Sequence, residues 1–121
     1  MPGLTNYAAN GVLASYVAAN GKWLALHAND PTATGNPATE ISGGSYARLG
    51  ITWTTASGRT IANSSQLTWY NLPATTIKFL AVWDAVTSGN CLHVVTVTPN
   101  IVTTTGGTFV VPVNDVSVTM L

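Results

Sequence analysis

The chain has 121 residues, the length of one ordinary domain, and its formal net charge is zero. Only 7% of its residues are charged, whereas about 25% are charged in a typical globular domain. So few cations argue against nucleic acid as a partner, because Lys and Arg contacts with phosphates dominate its recognition, and against an anionic membrane surface. The polar surface must come from Thr, Ser, Asn and the backbone. These groups lose water at lower cost than ions, which suits a protein covered by copies of itself or by other proteins.

The N-terminus and the single cysteine give no sign of export or of disulfide bonding. No stretch reaches the ~20 apolar residues that a membrane-spanning helix needs. The first residues lack the basic region of a signal peptide, so we predict synthesis in the cytoplasm without ordinary export. Cys91 has no second cysteine to pair with. It lies in an apolar run, which favours a buried thiol over a catalytic pair with His93.

The first predicted element is a helix over residues 4–19. Thr5 is suited to cap its N-terminus, and Asn20 with Gly21 is suited to end it. Apolar residues recur there at helical spacing, and we expect them to form the buried face: Leu4, Tyr7, Ala8, Val12, Tyr16 and Ala19.

From residue 22 onward the hydrophobic period becomes that of β-strands. In 22–28, Trp23, Ala25 and His27 should lie on one face, and Leu24 and Leu26 on the other. Segment 29–44 is a loop dense in turn-forming residues. Further strands are predicted within 46–54, 59–62, 66–69 and 75–85, followed by a hairpin into 91–99 and by strands within 103–113 and 115–121.

This order of elements predicts the fold class. One helix, then about seven or eight short strands with turns roughly every 8 to 12 residues, is typical of a sandwich or a barrel. We therefore predict a mainly β fold, an antiparallel β-sandwich with one N-terminal α-helix. It should form a single domain over 1–121, with the helix at 4–19 and the β-sandwich at 22–121.

The ionisable residues do not form a recognisable catalytic or metal-binding pattern. The four acids are scattered, and three of them occupy ordinary turn or strand-end positions: Asp30, Asp84 and Asp115. His27 and His93 lie too far apart in sequence for a zinc ligand pair. A calcium loop from Asn29, Asp30, Asn36 and Glu40 is the remaining metal alternative, but it lacks dense alternating acids. We predict no enzyme activity, no metal and no cofactor.

Two groups of residues remain as candidate sites. Trp53, Trp69 and Tyr70 could stack on a sugar ligand or contact another subunit, although core packing is the favoured role of such aromatics. Glu40 and Arg48 flank Gly43 and Gly44, and a catalytic pair, a ligand clamp and a structural latch are all open. We predict the latch: the glycines permit a tight reversal, and Arg48 reaches back to Glu40 or to loop carbonyls. A bridge between subunits is its alternative.

Several short motifs resemble a family of small structural proteins of tailed bacteriophages, of the tail fibre or minor tail protein type. The resemblance covers essentially the whole chain, and its most distinctive part runs from Glu40 to Trp53. It rests on these residues: Leu26 and His27, Asp30 and Pro31, Gly35, Glu40, Ser42 to Gly44, Tyr46 to Arg48, Trp53, Pro73 and Ala74, Trp83 to Ala85, and Gly89 and Asn90.

The resemblance implies a non-enzymatic component of the virion, acting in a tail, in a fibre or as a capsid decoration protein. Its expected partners are other copies of the chain, in a homo-oligomer that we predict to be a trimer, and other virion proteins. A carbohydrate- or receptor-binding module at a tail tip, which would bind a host-surface glycan, is the alternative.

Overall fold

A computed structural model of the chain describes residues 5–32, 35 and 37–119. Its first element is helical over 6–20, in three consecutive parts: α1 (Asn6–Val12), a π-helical turn (Leu13–Val17) and α2 (Ala18–Asn20). The Thr5 side chain accepts a hydrogen bond from the Ala8 amide at 3.2 Å, so the predicted cap is confirmed. The predicted first residue of the helix, Leu4, lies outside the described residues.

The buried face of this helix is not the predicted one. Ala9 and Leu13 are fully buried, whereas Tyr7 and Tyr16 are 90% and 58% exposed. Leu13 packs against Ile61 and the strand that carries Val118. The helix has apolar residues on more than one side, so its sequence was compatible with more than one buried face. Contacts distant in sequence therefore selected the face.

In the described part of the chain, eight strands follow the helix. Their bounds are β1 Trp23–His27, β2 Leu49–Gly50, β3 Thr60–Ala62, β4 Leu67–Leu72, β5 Thr75–Trp83, β6 Cys91–Thr103, β7 Gly107–Val111 and β8 Ser117–Thr119. One four-stranded sheet has the order β2-β1-β5-β6, and two pairs, β3-β8 and β4-β7, complete the structure. Every pairing is antiparallel.

The core lies between the four-stranded sheet and the β4-β7 pair. Leu24 and Leu26 of β1 and Leu80 of β5 meet Trp69 of β4 and Val111 of β7 in one buried cluster. Packing of two antiparallel layers around one core is the arrangement of a β-sandwich. The predicted fold class, with one helix before the strands, is confirmed.

Two predicted strands differ in detail. Segment 46–54 is paired as a regular strand only at Leu49–Gly50, because its backbone changes partner along its length: the Ile51 amide bonds to Lys22 at 2.9 Å and the Thr54 amide to Ala62 at 2.8 Å. In β5 the register shifts between Ile77 and Phe79. In an unbroken strand Ile77 and Leu80 would lie on opposite faces, and the shift instead brings both into the core.

Candidate functional site

The segment from Glu40 to Arg48 lies against the end of β1. The Ala28 amide donates to the Thr39 carbonyl at 2.9 Å and the Ile41 amide to the Leu26 carbonyl at 3.0 Å, so Glu40 sits beside His27. The chain then reverses at Gly43 and Gly44, whose φ values are 110° and 56°. A Cβ atom on Gly44 would overlap the Asn71 carbonyl oxygen, so this position needs glycine both for its backbone conformation and for the close approach.

The structure brings the side chains of Glu40 and Arg48 together. Arg48 Nε donates to Glu40 Oε2 at 3.0 Å and Nη2 donates to Oε1 at 2.9 Å, a bidentate ion pair. Nη1 donates to the carbonyl oxygens of Ala85 and Ser88 at 2.9 and 2.8 Å. The guanidinium, whose side chain is 4% exposed, thereby links the 40–48 segment to the turn between β5 and β6.

Tyr46 completes the surroundings of Glu40. Its hydroxyl donates a hydrogen bond to Glu40 Oε2 and accepts one from the Leu26 amide at 3.1 Å. Burial, together with the hydrogen bond to Glu40, raises the pKa of Tyr46 well above its usual value of 10.0. The phenol therefore stays protonated and remains a donor to the carboxylate.

Trp83 and His27 form the floor of this site. The Arg48 guanidinium carbon lies 4.2 Å from the centre of the Trp83 ring, within reach of a cation–π interaction. Trp83 Nε1 donates to His27 Nε2 at 3.3 Å, and His27 Nδ1 lies 2.7 Å from the Thr39 hydroxyl. Burial lowers the pKa of His27, with Glu40 opposing the shift and Arg48 adding to it.

Sequence analysis did not assign Tyr46, His27 or Trp83 to a site. The alternation in 22–28 placed His27 opposite Leu24 and Leu26, but it could not show that Trp83, 56 positions later in the chain, lies beside it. Pairing of β1 with β5 aligns Trp83 with Trp23, four positions from His27, and the Trp83 ring spans that distance to stack on His27 with 5.9 Å between ring centroids. The motifs of the resemblance contain all three residues, and that was the available signal.

The polar groups of this site are largely occupied by one another. Both Glu40 oxygens and all three Arg48 nitrogens have hydrogen-bond partners within the protein. A buried pair that is fully hydrogen-bonded holds its two segments in one relative position, and removal of one partner leaves a buried charge without compensation. The chemistry of the arrangement therefore suits holding loops together better than it suits general acid or base catalysis.

The three candidate aromatic residues are placed very differently. Trp69 is 2% exposed, donates to the Ala47 carbonyl at 2.9 Å and packs against Phe109, so it lies in the core, the role that the sequence favoured over a ligand contact. Trp53 is half-buried and donates to the Gly21 carbonyl at 2.6 Å. Tyr70 is 69% exposed and alone of the three presents most of its ring to the surface. The side chains of Trp69 and Tyr70 thus point to opposite sides of β4.

The other ionisable residues considered from the sequence lie apart. Asp30 accepts a hydrogen bond from the Thr32 amide at 2.8 Å, and Glu40 is held by Arg48. Asn36, the other suggested calcium ligand of that loop, lies outside the described residues. Burial raises the pKa of the Cys91 thiol, whose sulfur contacts the His93 carbonyl at 3.8 Å. Within the described ranges, no three His, Cys, Asp or Glu side chains gather as a metal-binding group.

Burial of the ion pair leaves a surface with very little charge. The sequence has eight residues of the Lys, Arg, Asp and Glu types, and Glu40 and Arg48 neutralise each other inside the fold. Six charged side chains remain for a solvent-accessible surface of 6511 Å². No helix in the part of the chain that the structure describes has the length and apolar character to cross a membrane.

Comparison with known families gives one match. The model of a family described as podophage GP4 fiber I protein gp80 matches residues 3–119. A search of curated proteins finds no significant match.

Proposed function

From the premise that the chain belongs to the podophage GP4 fiber I protein gp80 family and is a structural component of the virion, we propose that it is a self-associating building block of the fibre. Its work is mechanical: it binds copies of itself, as a trimer, and docks on other virion proteins. It uses neither a cofactor nor a catalytic residue for this task.

The sparsely charged surface is the observation that carries this proposal. A soluble monomer ordinarily carries a mixed and plentiful set of charges, which keep copies apart. Here the solvent-accessible surface of 6511 Å² carries six charged side chains outside the Glu40–Arg48 pair. Burial of such a surface against a second copy strips few ions of water, so its desolvation cost is low.

The Glu40–Arg48 pair supports this role as a latch within one subunit. It joins the long 29–44 segment, which has little apolar content, to the β5–β6 turn. A fibre subunit must present the same surface in every copy, and a loop fixed by four guanidinium hydrogen bonds meets that need. We therefore propose the latch over a bridge between subunits, because every guanidinium nitrogen is already bonded inside the chain.

The alternative, a carbohydrate- or receptor-binding module, has less support. Sugar recognition by stacking needs at least two exposed aromatic rings beside polar groups on one concave face. Trp69 is in the core and Trp53 is hydrogen-bonded to the helix end, which leaves Tyr70 without a second aromatic from the candidate set. Binding of host-surface glycans would have to use another surface.

The mass of the protein in dilute solution tests the proposal directly. Light scattering after size exclusion should give a discrete species of three copies over a wide range of protein concentration. A monomer at every concentration would contradict self-association. A second measurement concerns position: antibodies against the protein should label the fibres of purified particles, and label confined to the head would contradict the fibre assignment.

A further inference from the structure

The longest of the described strands, β6, has a described partner along one edge only. β6 spans Cys91–Thr103 and is the last strand of its sheet; among the described strands it pairs with β5 alone. Its thirteen residues include no Lys, Arg, Asp or Glu. Proteins protect exposed edges from pairing with short strands, charged side chains, Pro and β-bulges. β6 has Pro99 and two shifts of register, one between Thr96 and Ile101 and one between Cys91 and His93. Between these shifts, His93–Thr96 pairs regularly with β5 and has no second described strand beside it, so this stretch can accept another strand.

The second layer of the sandwich has a matching edge nearby. Among the described strands, β7, Gly107–Val111, pairs with β4 alone, and it is also free of charged residues. Between β6 and β7 lies a cleft of about 340 Å³ that is open to solvent. Its lining is mixed: apolar side chains, among them those of Leu80 and Phe109, alternate with polar ones, which are those of Thr96, Thr98 and Asp115. The two edges thus border an opening into the core that this chain does not fill by itself.

We propose that these edges are the self-association surface, with β6 of one copy pairing with β7 of the next. The inference rests on the proposed trimer and specifies its interface. A closed ring of three requires two different patches on each copy, since one self-complementary patch would give a dimer. β6 and β7 are two such patches on one side of the molecule. Neither strand carries a charged residue that its partner strand would have to accommodate. Pairing of the two strands would also cover the cleft.

The occupant is a second copy because the two edges complement each other without any ion. A partner that is recognised through charge would need charged groups on this surface to pair with its own. Asp115 is the one charged residue that lines the cleft. Strand pairing supplies backbone hydrogen bonds for affinity, and alternate side chains supply specificity. Between copies of this chain, both edges offer Val and Thr side chains and a strand that pairs on one side only with another described strand.

Two lysine variants and a control test the proposal. Thr96 on β6 and Thr108 on β7 are both exposed, so a lysine fits the folded monomer at either place while it blocks an edge. Thr96→Lys and Thr108→Lys should each lower the mass from three copies to one, with an unchanged thermal midpoint. Thr104→Lys, on the exposed turn between the two strands, should keep the wild-type mass.

A mixture of the two variants distinguishes a ring from a symmetric dimer. Each variant retains one intact edge, and these edges differ, so an equimolar mixture should form a species of two copies that cannot grow further. If both variants keep the wild-type mass, the proposal is wrong while the trimer stands. If only Thr96→Lys dissociates, the β6–β7 pairing is wrong. A wild-type protein that is monomeric overturns the trimer and this interface together.

Discussion

Arg48 connects two loops that lie about forty positions apart in the sequence through a single guanidinium group. Its replacement by Ala would leave Glu40 in a mostly buried position without its cation. Removal of one partner from a buried pair typically costs about 3–5 kcal/mol, and we expect Arg48→Ala to lower the free energy of unfolding by about this amount. Chemical denaturation measures the change.

Two further variants sharpen this test. Arg48→Lys keeps the charge but cannot reproduce the forked contact with the carboxylate, so its loss should fall between those of the wild type and Arg48→Ala. Lys22 is exposed, and Lys22→Ala should change the free energy of unfolding by no more than about 0.5 kcal/mol. An Arg48→Ala protein as stable as the wild type would contradict the latch.

His27 gives the fold a dependence on pH. Its Nε2 accepts from the Trp83 indole, so the neutral ring must carry its proton on Nδ1, next to the Thr39 hydroxyl. Burial lowers the pKa of His27 below 6.5. As the pH falls below 6.5, the unfolded chain binds a proton that the folded chain does not. The free energy of unfolding should therefore decrease until the pH passes the lowered pKa, where the dependence on His27 ends.

Denaturation at several pH values measures this effect. His27→Gln should weaken the dependence of stability on pH in this range. Burial also lowers the pKa of His93, so its contribution has the same sign. His93→Gln is therefore the matched control and should retain the part that belongs to His27. Identical pH profiles for the wild type and His27→Gln would show that His27 does not titrate as inferred.

At the scale of elements, the turn at Gly43 and Gly44 is specified by backbone contacts. The Ser45 amide donates to the Asn71 carbonyl at 2.9 Å, which brings Gly44 against the end of β4. Gly44→Ala combines a strained positive φ with a clash against that backbone, and we expect a loss of about 2 kcal/mol or more. Gly11 lies in α1 with open space around it, and Gly11→Ala should instead stabilise the protein by up to about 1 kcal/mol.

Thermal and chemical unfolding of the two alanine variants give the comparison. Opposite signs are expected, because the same chemical change meets a crowded turn in one case and an exposed helix in the other. A Gly44→Ala variant that is as stable as Gly11→Ala would show that the 40–48 segment can move away from β4 without cost.

Asn63 joins the short β3–β8 pair to the loop after β7. The residue is fully buried; its Oδ1 accepts from the Val116 amide at 2.8 Å, and its Nδ2 donates to the carbonyls of Pro112 and Ser65 at 2.8 and 3.0 Å. Asn63→Ala removes three bonds and leaves the buried Val116 amide unpaired, so we expect a loss of about 2–3 kcal/mol. Asn90 makes its contacts to Asp84 at an exposed turn, and Asn90→Ala is the control for loss of an amide at low cost.

Urea denaturation of these two asparagine variants compares a buried amide with an exposed one. A loss for Asn63→Ala no larger than that for Asn90→Ala would mean that water replaces the missing contacts. The sequence contained no pattern that singled out Asn63, because all of its side-chain partners except Ser65 lie about fifty positions away.

At the scale of the whole molecule, the low surface charge predicts an assembly that salt hardly affects. At physiological ionic strength, salt screens interactions between exposed charges over about 8–10 Å. The free energy of burying apolar and uncharged polar surface does not depend on this screening. The mass measured by light scattering should therefore be the same at low and at high sodium chloride concentration. Dissociation into monomers as salt is added would show that the few surface charges hold the copies together.

Local patterns in the sequence were sufficient for much of the architecture. Thr5 capped the helix as predicted, and the two faces of 22–28 separated as their alternation required, with Leu24 and Leu26 in the main core. The turn at 88–90 joined β5 to β6 as an antiparallel hairpin. These features depend on interactions between residues only a few positions apart, so a short stretch of sequence is enough to predict them.

Contacts between distant segments decided the rest. The apolar period of the helix was compatible with more than one buried face, and only packing on Ile61 and Val118 selected Leu13. An aromatic residue is equally suited to a core and to a surface, and the layer opposite β4 placed Trp69 inside and Tyr70 outside. The sequence by itself thus determined a charge-poor β-sandwich with one helix. The tertiary structure alone determined the surroundings of Glu40 and Arg48, because local periodicity reports which residues are apolar but not what will cover them.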